Sequence, residues 1–147
     1  MLIENMLDTA QKKLVVIAQD APVVEAARLL AHKEANLLVV CDAAGVLVGG
    51  VSKTDIVRQI GACQGSGCTA SVDSVMTRKI LTCHPSDSLK AVWSVMKTHG
   101  LKHIPVVDGA YRPIGLAIAR DVLVLLIGDV EYEEHLLRDY VMCIGYH

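Results

Sequence analysis

The fold is decided by the stretch Val39-Val-Cys-Asp42 and, after a short turn, Gly49-Gly-Val-Ser-Lys-Thr-Asp55. Both parts return 66 positions later, as Pro105-Val-Val-Asp108 and Gly115-Leu-Ala-Ile-Ala-Arg-Asp121. No gap is needed to align the residues around these stretches. A fixed offset over such a length indicates an internal duplication, so the sequence predicts two copies of one structural unit.

Each copy is predicted to fold as a β-α-β-β-α unit. Runs of β-branched and aliphatic residues at 14–17 and 80–83 predict the first strands. Apolar residues at helical spacing follow, and then two apolar runs of strand length separated by a turn. A final helix closes each unit. Because one unit cannot bury its own sheet, we expect the two to pack around a pseudo-twofold axis in an α/β (α+β) fold.

The chain is predicted to contain five segments, two of which are the repeats. They are an N-terminal helix, the first repeat, a linker rich in Gly, Ser and Cys, the second repeat and an acidic C-terminal helix or tail: 1–13, 14–62, 63–71, 72–128 and 129–147. Apolar residues recur at helical spacing in both terminal segments. We expect the terminal helices either to cover the core of the repeats or to form a dimer contact.

Composition argues against several classes of protein. The 147 residues are 52% hydrophobic but only 3% aromatic, and the formal net charge is −2. Without a stripe of Lys and Arg or aromatic side chains for base stacking, nucleic-acid binding is not predicted. No apolar run reaches the roughly 18 residues of a membrane span, and the N-terminus lacks a signal-peptide pattern. Five cysteines are an odd number for a disulfide scaffold, so a cytoplasmic protein is expected.

The duplicated motif resembles a known family. Two in-phase copies of apolar-apolar-Asp, a turn, and Gly-apolar-apolar-(Ser/Thr)-x-x-Asp are similar to a pair of cystathionine β-synthase (CBS) domains, the Bateman module. Val75-Met-Thr77 is also typical of how such repeats begin. The resemblance implies a non-catalytic, stand-alone sensor that forms a homodimer and regulates another protein. It implies no required cofactor, but an adenosyl ligand between the copies: AMP, ADP or ATP, with S-adenosylmethionine or NAD(H) as alternatives.

Ser52 and Asp55 are the first candidate ligand-binding residues. Ser52 lies where a strand gives way to a helix, whose free N–H groups and dipole favour anions such as phosphate. Asp55, one turn further, offers a carboxylate that can accept hydrogen bonds from the two adjacent hydroxyls of a ribose. The same pair also fits a purely structural interpretation, in which Ser52 caps the helix and Asp55 is a favourable first-turn acid.

The second copy departs from the first at this site. Ile118 occupies the hydroxyl position, so the site anchored by Asp121 and Arg120 is expected to be either vacant or altered. A basic pair, Lys102 and His103, precedes the central strand of the second copy, where nucleotide-sensing members of the family carry basic residues that meet phosphates. We therefore expect one cleft to combine this pair with the serine and aspartate of the first copy.

The adenine ring has to be held by aliphatic side chains, since aromatic residues are scarce. In the family the adenine slot is lined by aliphatic residues at strand edges, and the matching positions here are Val16, Ile17, Leu38, Ile80, Leu81 and Ile104. Each of these residues also fits an ordinary position in the core.

Two other functions fit parts of the sequence. Cys63 and Cys68 lie on the predicted linker, where they suggest a redox-responsive disulfide or a metal site, although Cys-x4-Cys is wider than the usual zinc pair. A ligand-free dimeric interaction module is the other alternative. The sequence contains no hydrolase elbow, P-loop or zinc-protease motif, so catalysis is not predicted.

Overall fold

The computed structural model describes residues 1–33, 35–62 and 70–128, and each repeat forms a small β structure flanked by helices. The elements described in the first half are a 3₁₀ turn, helices and strands: Ile3–Met6, α1 (Leu7–Lys13), β1 (Val16–Ala18), α2 (Val23–His32), β2 (Leu37–Cys41), β3 (Leu47–Ser52) and α3 (Lys53–Ala62). Those of the second half are α4 (Val72–Val75), α5 (Leu89–His99), β4 (His103–Val107), β5 (Pro113–Ile118) and α6 (119–128). This mixed arrangement of helices and small sheets confirms the predicted fold class.

Two predicted segments fall wholly or mostly outside the described residues. They are the acidic tail at 129–147 and most of the linker at 63–71, which carries Cys63 and Cys68. Within the described ranges, no helix is both long and apolar enough to cross a lipid bilayer.

The two repeats build related but unequal sheets. In the first repeat β1 pairs in parallel with β2, and β2 pairs antiparallel with β3. In the second, β4 and β5 form the corresponding antiparallel hairpin, but residues 80–83 contribute only one bridge, from Cys83 to Val106. The prediction of a strand at 80–83 is therefore wrong, and the strand predicted at 14–17 begins two residues later.

Two prolines explain why only one bridge remains in the second repeat. In the first repeat the N–H groups of Val39 and Gln19 donate the outer hydrogen bonds of the β1–β2 pairing, at 2.9 and 3.0 Å. The aligned residues are Pro105 and Pro85, which have no N–H to donate. Cys83 therefore keeps only the two central bonds, which connect it to the backbone of β4 at 3.0 and 2.9 Å.

The repeats are joined by two equivalent close contacts. α1 packs on β5, where a Cβ added to Gly115 would lie 2.8 Å from the Cβ of Ala10. The segment after α4 packs on β3, where a Cβ added to Gly49 would lie 2.7 Å from the carbonyl oxygen of Thr77 and 2.9 Å from Met76 Sδ. Ala10 and Met76 are themselves 66 positions apart. We call α1 and residues 76–77 the leading segments of the first and second repeat. Each leading segment covers the hairpin of the other repeat, so the structural equivalence extends upstream of residue 14.

Buried aliphatic side chains hold this arrangement together. One cluster belongs mainly to each repeat, and a third joins the two hairpins: Val39, Cys41, Leu47, Val107 and Leu116. A fully buried Val or Leu contributes about 1.5–3 kcal/mol. No polar or charged residue is buried in the described part of the chain. The joining cluster fixes the two hairpins against each other and so fixes the clefts at their ends.

Candidate functional site

A cavity of about 650 Å³, cleft A, opens between the β3–α3 turn and the start of β4. Its walls come from these elements, from β2 and from the segment after α4: Leu37, Gly50, Ser52, Thr54, Asp55, Arg58, Thr77, Lys79, Ile80, Leu81, His99, Gly100, Leu101, Lys102, His103 and Pro105. The structure therefore brings into one cleft the four residues that the sequence placed together, Ser52, Asp55, Lys102 and His103.

Ser52 and Asp55 form a reciprocal cap at the start of α3. The N–H of Asp55 donates to Ser52 Oγ at 3.2 Å, while the backbone N–H and the hydroxyl of Ser52 donate to Asp55 Oδ2 at 2.9 and 3.1 Å. Asp55 Oδ1 lies 3.5 Å from an Arg58 guanidinium nitrogen. The structural interpretation of the pair is thus realised, and a ligand at Asp55 has to share a carboxylate that already has partners.

Basic side chains line another part of cleft A. Lys79 and Lys102 bring positive charge to its wall. Burial lowers the pKa of His103 below its ordinary value, and the neighbouring charge of Lys102 lowers it further. His103 is therefore neutral near physiological pH. The positive charge that an anionic ligand meets here comes mainly from the two lysines.

The predicted adenine slot is only partly accessible. Ile80 and the exposed side chain of Leu81 line cleft A. Ile17, Leu38 and Ile104 are buried in the cores of their repeats, because the strands that carry them are covered by helices, so these three are corrected from slot to core residues. Val16 is exposed but does not line cleft A.

A second and larger cavity of about 860 Å³, cleft B, lies at the equivalent place. Here the second repeat supplies the turn between strand and helix, and the first half of the chain supplies the facing wall. Its lining comes from α1, the end of α2 and the β5–α6 turn: Asn5, Met6, Thr9, Lys12, Lys13, Val15, Lys33, Ala35, Asn36, His103, Leu116, Ile118, Arg120, Asp121, Val124 and Leu125. At the offset of 66, Asp121 corresponds to Asp55 and Lys13 to Lys79. His103 lines both clefts.

Asp121 differs from Asp55 in its hydrogen bonds. Its Oδ2 atom is buried and has no hydrogen-bond partner within the described residues. Ile118, which takes the place of Ser52, has no hydroxyl to donate, and Val124 takes the place of Arg58. A buried carboxylate oxygen without a donor costs about 1–3 kcal/mol or more, whereas Oδ2 of the aligned Asp55 accepts two hydrogen bonds.

Cleft B also contains cations that no motif in the sequence singles out. Lys12 and Lys13 lie in the last turn of α1, and Lys33 is the C-cap of α2. The internal alignment contains a signal for two of them, because Lys13 aligns with Lys79 and Lys33 with His99. What the sequence did not indicate is that α1 folds over the opposite repeat and so brings its lysines to Asp121.

The described cysteines do not form a reactive site. Cys41 and Cys83 are both free and buried. Burial raises the pKa of Cys83 to about 12, with a smaller contribution from the charge of Asp87. No group of His, Cys, Asp and Glu in the described ranges is arranged to hold a metal ion. A redox role of Cys63 and Cys68 stays a prediction, tested by mass spectrometry with and without reductant.

The duplication seen in the hairpins and clefts agrees with a comparison of the sequence with known protein families. A model of the CBS domain matches the chain twice, at residues 7–62 and 72–128. The chain belongs to the CBS domain family. Two matches in tandem confirm the predicted CBS pair, and the first of them includes α1.

Solved structures show the same CBS fold. The CBS domain pair of protein MJ0100, in complex with 5′-methylthioadenosine and S-adenosyl-L-methionine, is 25% identical with a TM-score of 0.73 and covers 88% of this chain and 98% of that one. The CBS-domain containing protein ATU1752 from Agrobacterium tumefaciens is 25% identical with a TM-score of 0.72, and the coverage is 84% and 97%. This CBS pair therefore corresponds to nearly the whole of both matched chains.

The curated relatives of the CBS pair are longer proteins. A homoserine O-acetyltransferase from Methanosphaerula palustris is 32% identical over 121 residues, which is 82% of this chain and 24% of the relative. The chain spans about a fifth to a quarter of the length of the curated relatives it matches. The similarity thus concerns one segment of those relatives.

Proposed function

We propose that this CBS pair is a non-catalytic regulatory module that binds an adenosyl compound in clefts A and B and signals to a partner protein. The observation that carries the proposal is the combination, in both clefts, of an aspartate, apolar side chains and lysines. An aspartate suits the hydroxyls of a ribose, an apolar wall suits a purine, and lysines suit phosphates. The complex of the MJ0100 pair with two adenosyl compounds supports this ligand class.

In cleft A the proposed ligand lies between Asp55 and the basic side chains. The ribose hydroxyls donate to the Asp55 carboxylate, which has lone pairs beyond those used in the cap. Lys79 and Lys102 meet the phosphates, while Ile80 and Leu81 cover the adenine. Among the described residues no Phe, Tyr or Trp lines this cleft, so we expect aliphatic side chains to contact the base and backbone groups to hydrogen-bond it.

The charges in the clefts favour AMP, ADP or ATP among adenosyl compounds. Cleft A is lined by two lysines and an arginine against one aspartate. A phosphate forms charge-assisted hydrogen bonds with such cations. S-adenosylmethionine instead brings a sulfonium and an ammonium group, whose positive charge the lysines repel. NAD(H), with its pyrophosphate, is the further candidate that a binding screen has to include.

The test is a thermal-shift screen with AMP, ADP, ATP, S-adenosylmethionine, 5′-methylthioadenosine and NADH. A ligand at a hundred times its Kd stabilises the folded state by about 2.7 kcal/mol, so at least one compound is expected to raise the Tm clearly. The double variant Asp55→Ala/Asp121→Ala is expected to lose the shift. Asp20→Ala, an exposed aspartate outside both clefts, is the matched control and should keep it. If no compound stabilises the wild type, the proposal is wrong.

We also propose that the chain forms a homodimer through α3 and α6. Val57 and Ile60 on α3 are 68% and 59% exposed, and Leu123 and Ile127 are exposed on α6. Val57 and Leu123 are aligned positions of the two repeats. Sedimentation analysis should show a dimer that Val57→Lys/Ile60→Lys converts to a monomer. A dimer that binds none of the compounds would favour the ligand-free interaction module, and a monomeric wild type would rule out both.

A further inference from the structure

Clefts A and B differ in the number of cations that are available to a ligand. Among the described residues, cleft B is lined by Lys12, Lys13, Lys33 and Arg120, and the described part of the chain gives none of them a salt bridge. In cleft A, Arg58 is already 3.5 Å from Asp55, which leaves two lysines. Counting described residues only, cleft B presents four cations without a salt bridge, whereas cleft A presents two.

The position of Arg120 points to an anion. Arg120 lies in the first turn of α6, where the helix dipole disfavours a positive charge. The aligned residue in α3 is Thr54, which is uncharged. Lys12 and Lys13 lie in the last turn of α1, where a cation is favourable for the helix, so they alone would need no ligand. Arg120 is the residue that helix stability does not explain.

Asp121 gives the ligand an anchor at the same place. Asp121 lines cleft B, so its carboxylate is the acceptor available there to the hydroxyls of a ribose. Asp121 follows Arg120 directly, so a nucleotide anchored by its ribose carries its phosphates close to the cations of cleft B. The greater volume of cleft B, about 860 Å³ against about 650 Å³, gives room for further phosphates.

We propose that cleft B selects the di- and triphosphate forms of the adenosyl ligand, whereas cleft A binds the monophosphate about as well as the longer forms. This selectivity rests on the proposed function, since it assumes that an adenosyl compound enters the cleft. Each further phosphate adds negative charge beside cations that have no other partner in the described residues. Charge-assisted hydrogen bonds of this kind correspond to about a tenfold gain in affinity or more for a well-placed phosphate.

Calorimetric titration of the full chain with AMP, ADP and ATP in metal-free buffer tests the selectivity. The wild type is expected to show one site that binds ATP at least about tenfold tighter than AMP. Lys12→Ala/Lys13→Ala should weaken ATP at that site about tenfold and AMP less than about threefold. Arg120→Thr, which installs the residue of the other repeat, should act in the same direction. The matched control is Lys90→Ala/Lys97→Ala, an equal change of charge at exposed positions of α5 outside both clefts.

The outcomes separate this inference from the function on which it rests. If AMP and ATP bind with equal affinity at every site, or if the α5 control weakens ATP as much as the α1 variant, the selectivity is overturned while adenosyl binding stands. If none of the three nucleotides binds, the proposed nucleotide ligand fails as well. An unchanged Tm of the free variants shows that a loss of ATP affinity does not come from unfolding. Should the α1 variant be unstable, Arg120→Thr alone decides.

Discussion

Clefts A and B occupy equivalent places in a duplicated chain, yet the side chains that a ligand meets in them have diverged. The aligned differences concern a hydroxyl, a charge at the start of the helix and a charge one turn later: Ser52 and Ile118, Thr54 and Arg120, Arg58 and Val124. In cleft A the aspartate is part of a helix cap, and in cleft B its Oδ2 atom has no hydrogen-bond partner among the described residues. The same backbone therefore supports two different chemical environments.

The framework around the clefts has diverged much less. Asp42 Oδ1 accepts hydrogen bonds from two backbone N–H groups of its turn at 2.9 and 3.0 Å, and Asp108 Oδ1 does the same at 2.9 and 3.0 Å. Gly49 and Gly115 each admit a leading segment of the other repeat. The comparison indicates that contacts between the repeats limit the sequence strongly, whereas the start of the closing helix tolerates change.

The strongest test of this equivalence is to add a methyl group at each of the two closely packed glycines. Gly49→Ala is expected to destabilise the protein by about 2–3 kcal/mol, because the new methyl group meets the backbone oxygen of Thr77 at 2.7 Å and that oxygen accepts a hydrogen bond from Gly50. Gly115→Ala meets the side chain of Ala10 at 2.8 Å and is expected to lower the free energy of unfolding by a similar amount. Urea unfolding measures both.

The two glycine variants should differ in whether they can be rescued. Ala10→Gly removes the atom nearest to the new methyl at Gly115, so the double variant should recover part of the loss beyond simple additivity. Met76→Ala should not rescue Gly49→Ala, because the carbonyl of Thr77 stays in place. Rescue of both pairs, or of neither, would contradict the difference in packing described here.

The hairpin turns offer a smaller comparison. Gly45 has φ +81° and free space around it, whereas Tyr111 adopts φ +60° with a bulky side chain in the other repeat. A left-handed conformation costs an ordinary residue about 1–2 kcal/mol, so Gly45→Ala is expected to destabilise by about 1 kcal/mol. Tyr111→Asn should stabilise by a few tenths of a kcal/mol, since Asn tolerates this conformation better. Tyr111→Ala is the control, and an equal gain from Ala would exclude relief of strain as the cause.

Removing the two aspartates should change the stability of the free protein by different amounts. Asp55→Ala breaks the cap of α3 and is expected to cost about 1 kcal/mol. Asp121→Ala removes a buried oxygen that has no partner in the described part of the chain, and it is expected to be neutral or slightly stabilising. Chemical denaturation without nucleotide measures both values. Equal destabilisation by the two variants would show that Asp121 has a structural partner and would remove the distinction between the clefts.

The sequence predicted the fold and the pseudo-twofold arrangement through its duplication, but not that α1 of the first half covers β5 of the second. The offset of 66 placed the hairpins, and the spacing of Ser52 and Asp55 placed both residues at the start of a helix. The pairing lost through Pro85 and Pro105 was readable in principle, since each lacks a donor that its aligned residue supplies. Local patterns dominate such predictions, and the bridge at Cys83 depends on a partner more than twenty positions away.

The candidate site was predicted less completely. The convergence of Ser52 and Asp55 with Lys102 and His103 followed from the pseudo-twofold arrangement of the copies. Cleft B was expected to be vacant or altered because Ile118 lacks a hydroxyl. Its lysines come from α1, whose approach to β5 depends on the close fit of Ala10 to a glycine, and no local pattern encodes a contact of that kind.

The smallest expected effect concerns His103, which lines both clefts. Burial and the charge of Lys102 hold the pKa of His103 below its ordinary value of 6.5, so the folded state binds this proton less readily than the unfolded chain. The resulting contribution to stability is complete above about pH 6.5 and is lost as the pH falls through the lowered value. His103→Leu installs the residue aligned in the first repeat and should flatten the fall in unfolding free energy between about pH 8 and pH 5. Leu37→His, the reciprocal change, should steepen it, whereas an unchanged slope in His103→Leu would show that another group causes the fall.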